Sequence, residues 1–307
     1  MTRRFIYLVN PISGTDEKSA LQQLVERKTR DQAIRYDVLP TNAAGNYQYL
    51  LKKIKLEKIT DVIVCGGDGS VNAVAAALQG IDVNIGIIPM GSGNGLAFSA
   101  NIPKQTSKAL EIIFKGSATP VDAFYINDQF SCMLCGIGFD AQVAHEFAKQ
   151  KRRGLQTYIK TSLIQFFKAT PYRFGIQLPG KSFETEAFFI SIANSNQFGN
   201  NFTIAPQASL SDGLLDIVIV NKMSKFMLPF SMISQVTGIN ALQPAKEYLN
   251  KRHITYFQTD SLTIRNLDQA PLHIDGEPSK TSEVFSIRII PHCFKLLQPP
   301  VNPSAPV

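Results

Sequence analysis

Apolar runs and helical spacings alternate along the first third of the chain. Phe5–Val9 is a continuous apolar run, and Leu21, Leu24 and Val25 follow at helical spacing within Lys18–Arg27. Ile34–Leu39 predicts a second strand, and Leu50, Leu51 and Ile54 place a helix over Tyr47–Leu56. The run Asp61–Cys65 leads into Val71, Val74 and Leu78, again at helical spacing. Ile85–Ile88 is a further strand, and Ser107–Phe114 a last helix. Strands buried on both faces read as short unbroken apolar runs, so this alternation predicts an α/β domain with a parallel sheet covered by helices.

From about residue 120 the period changes to two. Ser117–Pro120 reads as a crossing, after which strands are expected at Phe183–Asn194, Leu214–Val220, Ile254–Gln258, Ser261–Arg265, Pro271–Ile274 and Val284–Ile290. Two helical interruptions are expected, at about Leu155–Lys168 and Lys225–Gly238. Many strands with short turns predict a β-sandwich-like second domain, which divides the chain at 1–119 and 120–290. Pro299–Val307 holds four prolines and reads as a loose tail, and no internal repeat is visible.

Three turns at strand ends carry the candidate chemistry. Phe5–Val9 runs into Asn10-Pro11-Ile12-Ser13-Gly14, Asp61–Cys65 into Gly66-Gly67-Asp68-Gly69, and Ile85–Ile88 into Gly91-Ser92-Gly93-Asn94. Glycines at a strand-to-helix turn let the backbone approach an anion, and the helix start behind supplies free N–H groups. Asp68 does not suit a phosphate directly, so a cation between them is implied: a polyphosphate nucleotide with Mg²⁺. Each turn also has a purely structural reading. Asn-Pro and Ser-Gly are turn pairs anywhere, Asp68 could cap a helix, and so could Ser92 or Asn94.

Composition narrows the setting. The 307 residues suffice for two domains, each with its own core, and the formal net charge of +7 favours anionic partners. No apolar stretch reaches the roughly 18–20 residues of a membrane span, and Phe5–Val9 is too short for a signal-peptide core. A cytoplasmic protein, peripheral at most to a membrane, is expected. Cys132 and Cys135 stand in a strand-like apolar run whose offset puts them on opposite faces, so they read as buried thiols rather than a metal or redox pair.

The three turns together resemble the nucleotide-binding set of the diacylglycerol kinase/sphingosine kinase superfamily. The resemblance continues through Gly136-Ile-Gly-Phe-Asp140-Ala141, through Asn194 to Asp216 with Pro206, Ala208 and Ser211-Asp212-Gly213, and through His273-Ile-Asp275-Gly276-Glu277-Pro278. It spans roughly residues 5 to 295, in the family's order. It implies an ATP- and Mg²⁺-dependent lipid kinase of the same two-domain architecture, with the segment from about 291 to 307 returning to the first domain. On this likeness Asn10, Ser13, Gly14, Gly66, Gly67, Gly69, Gly91, Ser92, Gly93 and Asn94 hold the nucleotide. Asp275 is the general base, and Glu277 joins Asp68 in the metal–water network. Asp212, with the carbonyls of Ser209 and Leu214, matches a structural cation site of some bacterial relatives. An Asx-turn reads Asp212 equally well, and a plain Asp-Gly hairpin between Leu272–Ile274 and Val284–Ile290 is the bland reading of Asp275.

The chain also departs from the family pattern. Thr15 stands where a basic residue usually follows the first turn, Ala73 where an acidic residue is common, and Gly95 where bacterial diacylglycerol kinases usually carry an acid. Over His145–Arg173, seven basic residues and one acidic are interleaved with large apolar ones, a pattern that suits an anionic membrane surface or a helix packed on its own domain. A lipid substrate is therefore expected, and nucleic acid is not. NAD kinase shares the Gly-Gly-Asp-Gly turn and is the enzymatic alternative; a non-catalytic nucleotide- or lipid-binding module is the other.

Overall fold

The computed structural model describes residues 3–10, 15–42, 45–149, 169–197, 205, 207–222, 249–251 and 253–300. The expected helices at Leu155–Lys168 and Lys225–Gly238, most of the basic segment, and the end of the Pro-rich tail lie outside the described residues. The chain forms two compact units, Met1–Val121 with His292–Val307, and Asp122–Pro291.

The first unit alternates as the pattern predicts. Its elements are β1 (Arg4–Val9), α1 (Thr15–Asp31), β2 (Arg35–Pro40), α2 (Gln48–Glu57), β3 (Asp61–Gly66), α3 (Asp68–Ala77), β4 (Asn84–Pro89), α4 (Gly95–Ser99) and α5 (Thr106–Lys115). Strand β1 pairs in parallel with β2 and β3, and β3 with β4. All of β3 is buried, as are Val71 and Val74 of α3 and Ala109, Leu110 and Ile113 of α5. Burial of Asp61 at the start of β3 is offset by Arg3, whose Nη2 and Nε reach its two oxygens at 2.6 and 3.1 Å. Asn10, Gly66 and Pro89 stand at the carboxyl ends of their strands, where ligands of parallel sheets bind.

The second unit is antiparallel and β-sandwich-like. It contains the end of β5 (Ser117–Ile126), β6 (Gln129–Ser131), β7 (Leu134–Gly138), α6 (Phe139–Ala148), β8 (Tyr172–Leu178), β9 (Lys181–Ala193), β10 (Leu215–Asn221), β11 (Leu249–Lys251), β12 (Ile254–Thr259), β13 (Ser261–Asn266), β14 (Leu272–Ile274), β15 (Glu277–Ser279) and the start of β16 (Val284–Gln298). The first half of β9 pairs with β8, while its second half pairs with β10 on one side and β7 on the other. Ile137, Ile190, Ile192, Ile217, Phe257, Ile264 and Phe285 share one core. The opposite face of β7, β9 and β10 is also buried, because Phe139 and Val143 of α6 pack there against Phe189 and Val218.

Ser117–Pro120 opens strand β5, which carries the chain from the first unit, ending at Val121, into the second, starting at Asp122. Two expectations need correction. The Phe130–Cys135 run is not one strand: β6 ends at Ser131 and β7 starts at Leu134, so alternation does not relate Cys132 to Cys135. Both are buried free thiols. The last strand does not stop near Ile290. Residues 284–288 pair antiparallel with β13, His292 takes a left-handed φ of 52°, and Lys295–Leu296 then pair in parallel with β4. Among the described residues no helix is long and apolar enough to cross a membrane.

Candidate active site

In the first unit, two of the glycine turns meet. Asn10 donates its N–H to Cys65 O at 3.2 Å, and Met90 donates to Gly66 O at 3.0 Å, so the ends of β1 and β4 are tied to the end of β3. A Cβ added to Gly67 would lie 2.9 Å from Gly91 Cα. Any side chain at either position would push the turns apart.

Asn94 sets the shape of the Gly91 turn. It is 2% exposed, has a left-handed φ of 56°, accepts the Gly91 N–H at Oδ1 and donates from Nδ2 to Gly91 O, both at 2.8 Å. Asn tolerates this backbone region better than most residues. Its amide is therefore committed to the turn, whereas Ser92 and Gly69 are exposed. Ser13 and Gly14 lie outside the described residues.

Asp68 links the two turns electrostatically. Burial raises its pKa from the usual 3.8 to about 6, and the backbone N–H groups of Asn94, Leu96 and Gly95 oppose the shift. The residue at the start of α3 thus spends its charge on the start of α4, and α3 itself begins at Gly67 without a side-chain cap.

In the second unit, Asp275 and Gly276 form the two-residue turn of a hairpin between β14 and β15, with φ of 51° and 80°. The partner strand is Glu277–Ser279, not Val284–Ile290 as the sequence suggested. Asp275 Oδ1 accepts the Ser131 hydroxyl at 2.7 Å and the Leu134 N–H at 3.1 Å, while its own N–H donates to Leu134 O at 2.9 Å. Glu277 opens β15 and is exposed.

Beside this turn lie residues whose roles the sequence did not disclose. His273 and Asp140 are 1% and 7% exposed, and His273 Nε2 lies 3.3 Å from Asp140 Oδ2. Gly276 N–H donates to His273 Nδ1 at 3.2 Å. Cys135 is close enough that Asp275 and Asp140 add to burial in raising its thiol pKa, which keeps it protonated. Gly136 was legible as a motif glycine; its contact with residues over 130 positions away was not.

Asp212 lies in the second unit. Its Oδ1 accepts the Leu214 N–H at 3.1 Å in an Asx-turn leading to β10, and Ser209 Oγ accepts the Ser211 N–H at 3.4 Å. Burial raises the Asp212 pKa. Among the described residues no group of three or more His, Cys, Asp or Glu side chains is arranged to hold a metal ion. Mg²⁺ is commonly held by one or two carboxylates together with substrate phosphates, and Asp68 beside two glycine turns fits that donor set.

The diacylglycerol kinase catalytic domain model matches residues 4–126, and the YegS C-terminal NAD kinase beta sandwich-like domain model matches residues 134–298. A diacylglycerol kinase of Bacillus subtilis is 25% identical over 280 residues, covering 89% of each chain. A Salmonella typhimurium protein named "Probable lipid kinase YegS" is 28% identical over 283 residues, covering 89% of this chain and 90% of its own. Among solved structures, a diacylglycerol kinase from Bacillus anthracis superposes with a TM-score of 0.75 at 22% identity, covering 99% of this chain and 98% of that one. The last likeness speaks to the fold.

Proposed function

The chain belongs to the diacylglycerol kinase/sphingosine kinase superfamily of lipid kinases, and from that premise we propose an ATP- and Mg²⁺-dependent kinase that phosphorylates a diacylglycerol-type or sphingoid-base-type hydroxyl. The observation that carries the reading is Asp275, a carboxylate fixed at a tight turn by Ser131 and the Leu134 amide. A base held in one orientation suits removal of a proton from an alcohol as its oxygen attacks the terminal phosphate.

The chain's own groups divide the remaining work. Backbone N–H groups of the Gly66–Gly69 turn and of Ser92 and Gly93 hold the phosphates, with the Ser92 hydroxyl, while Asn94, which takes the Gly91 N–H, maintains the second turn. Asp68, beside the glycine turns, is the carboxylate that would hold Mg²⁺, which when bound spreads the charge of the transferring phosphoryl group. Asp275 takes the hydroxyl proton. The lipid comes from an anionic membrane surface, toward which the +7 net charge draws the protein.

Transfer of labelled γ-phosphate from ATP tests this reading. The acceptors are vesicles of phosphatidylglycerol carrying dioleoylglycerol or sphingosine, a total lipid extract, and NAD separately. Mg²⁺-dependent label on a lipid supports the proposal. Label on NAD supports the NAD kinase alternative, and ATP binding without label on any acceptor supports a non-catalytic module.

A further inference from the structure

We propose that His273 and Asp140 form a buried positioning pair that orients the Asp275–Gly276 turn through one fixed tautomer of the imidazole. The inference rests on the assignment of Asp275 as the base.

The tautomer follows from a donor that cannot be reassigned. A backbone N–H only donates, so Gly276 at 3.2 Å requires a lone pair on His273 Nδ1. In the neutral ring the hydrogen is then on Nε2, where Asp140 Oδ2 accepts it at 3.3 Å. Asp140 is itself fixed, because its Oδ1 accepts the Ala141 N–H at 2.8 Å. Asp140 thus sets the ring, the ring holds the Gly276 amide, and that amide belongs to the peptide joining Asp275 to Gly276.

Two features show that the surrounding fold is shaped to this pair. His273 lies opposite Gly136 in the β14–β7 ladder, and a Cβ on Gly136 would come within 1.8 Å of Asp140 Oδ2 and 2.5 Å of His273 Nε2. The pair therefore occupies the space that the missing side chain leaves. Helix α6, which carries Asp140, also carries His145, whose Nε2 lies 2.9 Å from Leu272 O on β14. One helix grips the strand at two successive residues, Leu272 and His273, with only Ile274 between them and the turn. Asp275 holds a left-handed backbone that Asp tolerates, and these contacts fix the turn that contains it in one orientation. These contacts make His273 and Asp140 positioning residues, acting through the peptide and not on the substrate.

The test compares His273→Leu, His273→Asn, Asp140→Asn and Asp275→Asn. Leu removes the acceptor, whereas Asn places Oδ1 where Nδ1 stood and can still receive the Gly276 N–H. Asn at 140 has one side-chain oxygen; keeping the Ala141 bond turns its NH₂ toward Nε2 and moves the ring hydrogen to Nδ1, facing another donor. With the phosphatidylglycerol vesicles carrying dioleoylglycerol and sphingosine, kcat should fall roughly 10- to 100-fold in His273→Leu and Asp140→Asn, with KM for ATP within about twofold of wild type. His273→Asn should recover most of the loss. Nitrogen-15 NMR should find the Nε2–H tautomer for His273 in wild type and its loss in Asp140→Asn. Full kcat in His273→Leu beside an inactive Asp275→Asn overturns the pair's role, as does an Nδ1–H tautomer in wild type. Full activity in Asp275→Asn, or an inactive wild type, overturns instead the reading of Asp275, and the tautomer measurement still judges the pair. Should His273→Leu fail to fold, the Asn variants and the NMR decide.

Discussion

Gly67 and Gly91 touch backbone to backbone: a Cβ on Gly91 would lie 2.7 Å from Gly67 Cα, and the same atom 2.9 Å from Asn94 Oδ1. Two turns from different strands are thereby held as one surface. Gly91→Ala meets both neighbours and should destabilise the protein by about 1–3 kcal/mol, with Gly67→Ala close behind. Urea unfolding measures this. Wild-type stability in both variants would mean that the turns separate at no cost, contrary to the packing described.

Gly69 offers the opposite case. It lies within the first turn of α3, is exposed, and a Cβ there would meet nothing within 4 Å. Alanine should leave the fold unchanged or up to about 1 kcal/mol more stable, since it favours the helix. A phosphate approaching the backbone would meet the added methyl. Weaker ATP binding in calorimetry, at unchanged or raised Tm, is therefore the expected signature of a ligand contact. Undiminished affinity would remove Gly69 from the nucleotide site.

The raised pKa of Asp68 fixes the sign of a pH effect. Its folded value of about 6 lies above the usual 3.8, so folding favours the protonated form. That contribution is fully present below about 3.8, declines between 3.8 and 6, and is lost above 6, where the partly buried charge is a penalty. Asp68→Asn removes the penalty. The variant should exceed wild type by roughly 1–2 kcal/mol at pH 7.5 and match it near pH 4. The same variant should gain less thermal stability from Mg²⁺ and ATP than wild type, because it lacks the carboxylate. A stability difference independent of pH would show that the environment of Asp68 does not disfavour its charge.

Much of the first unit was legible because buried parallel strands leave unbroken apolar runs, as Val62-Ile63-Val64 does. The glycine turns were legible because their chemistry is local. In the second unit β8 escaped notice, since Gly175 interrupts its apolar pattern, with Arg265 filling the place of a side chain. The far half of β16 lies beyond Pro291 and the left-handed His292, which redirects the strand; its return to the first unit was expected only from the family resemblance. Neither the Ser131 bond to Asp275 nor the Asp140 contact with His273 could be read from spacing. The partners are 144 and 133 residues apart, and only the tertiary fold brings Ser131 of β6 and Asp140 of α6 to the β14 hairpin. The bond of Asp68 to the next turn was hidden for the same reason: an acid at the start of a helix looks like that helix's own cap.

Asp275→Asn is the sharpest test of the proposed chemistry, because the structure allows it while a general base does not. Asn accepts the left-handed φ of 51°, and its Oδ1 can still take the Ser131 hydroxyl and the Leu134 N–H. The turn and its flanking strands should therefore survive, with thermal stability near wild type. Asp275→Ala loses both bonds as well as the residue type suited to this backbone, and should be less stable by about 1–3 kcal/mol. The amide cannot accept a proton at neutral pH. If Asp275 takes the proton of the lipid hydroxyl, turnover in Asp275→Asn should fall by roughly 10²- to 10⁴-fold while Mg²⁺–ATP affinity stays close to wild type. A turn residue without a chemical role would give the reverse pattern, with activity intact in Asn and lost only where the fold weakens, as in Ala. Lipid phosphorylation, ATP affinity and Tm measured on one preparation of each variant separate the cases, and Asn turnover above about half of wild type would sink the catalytic assignment, since loss of a general base is not a twofold effect.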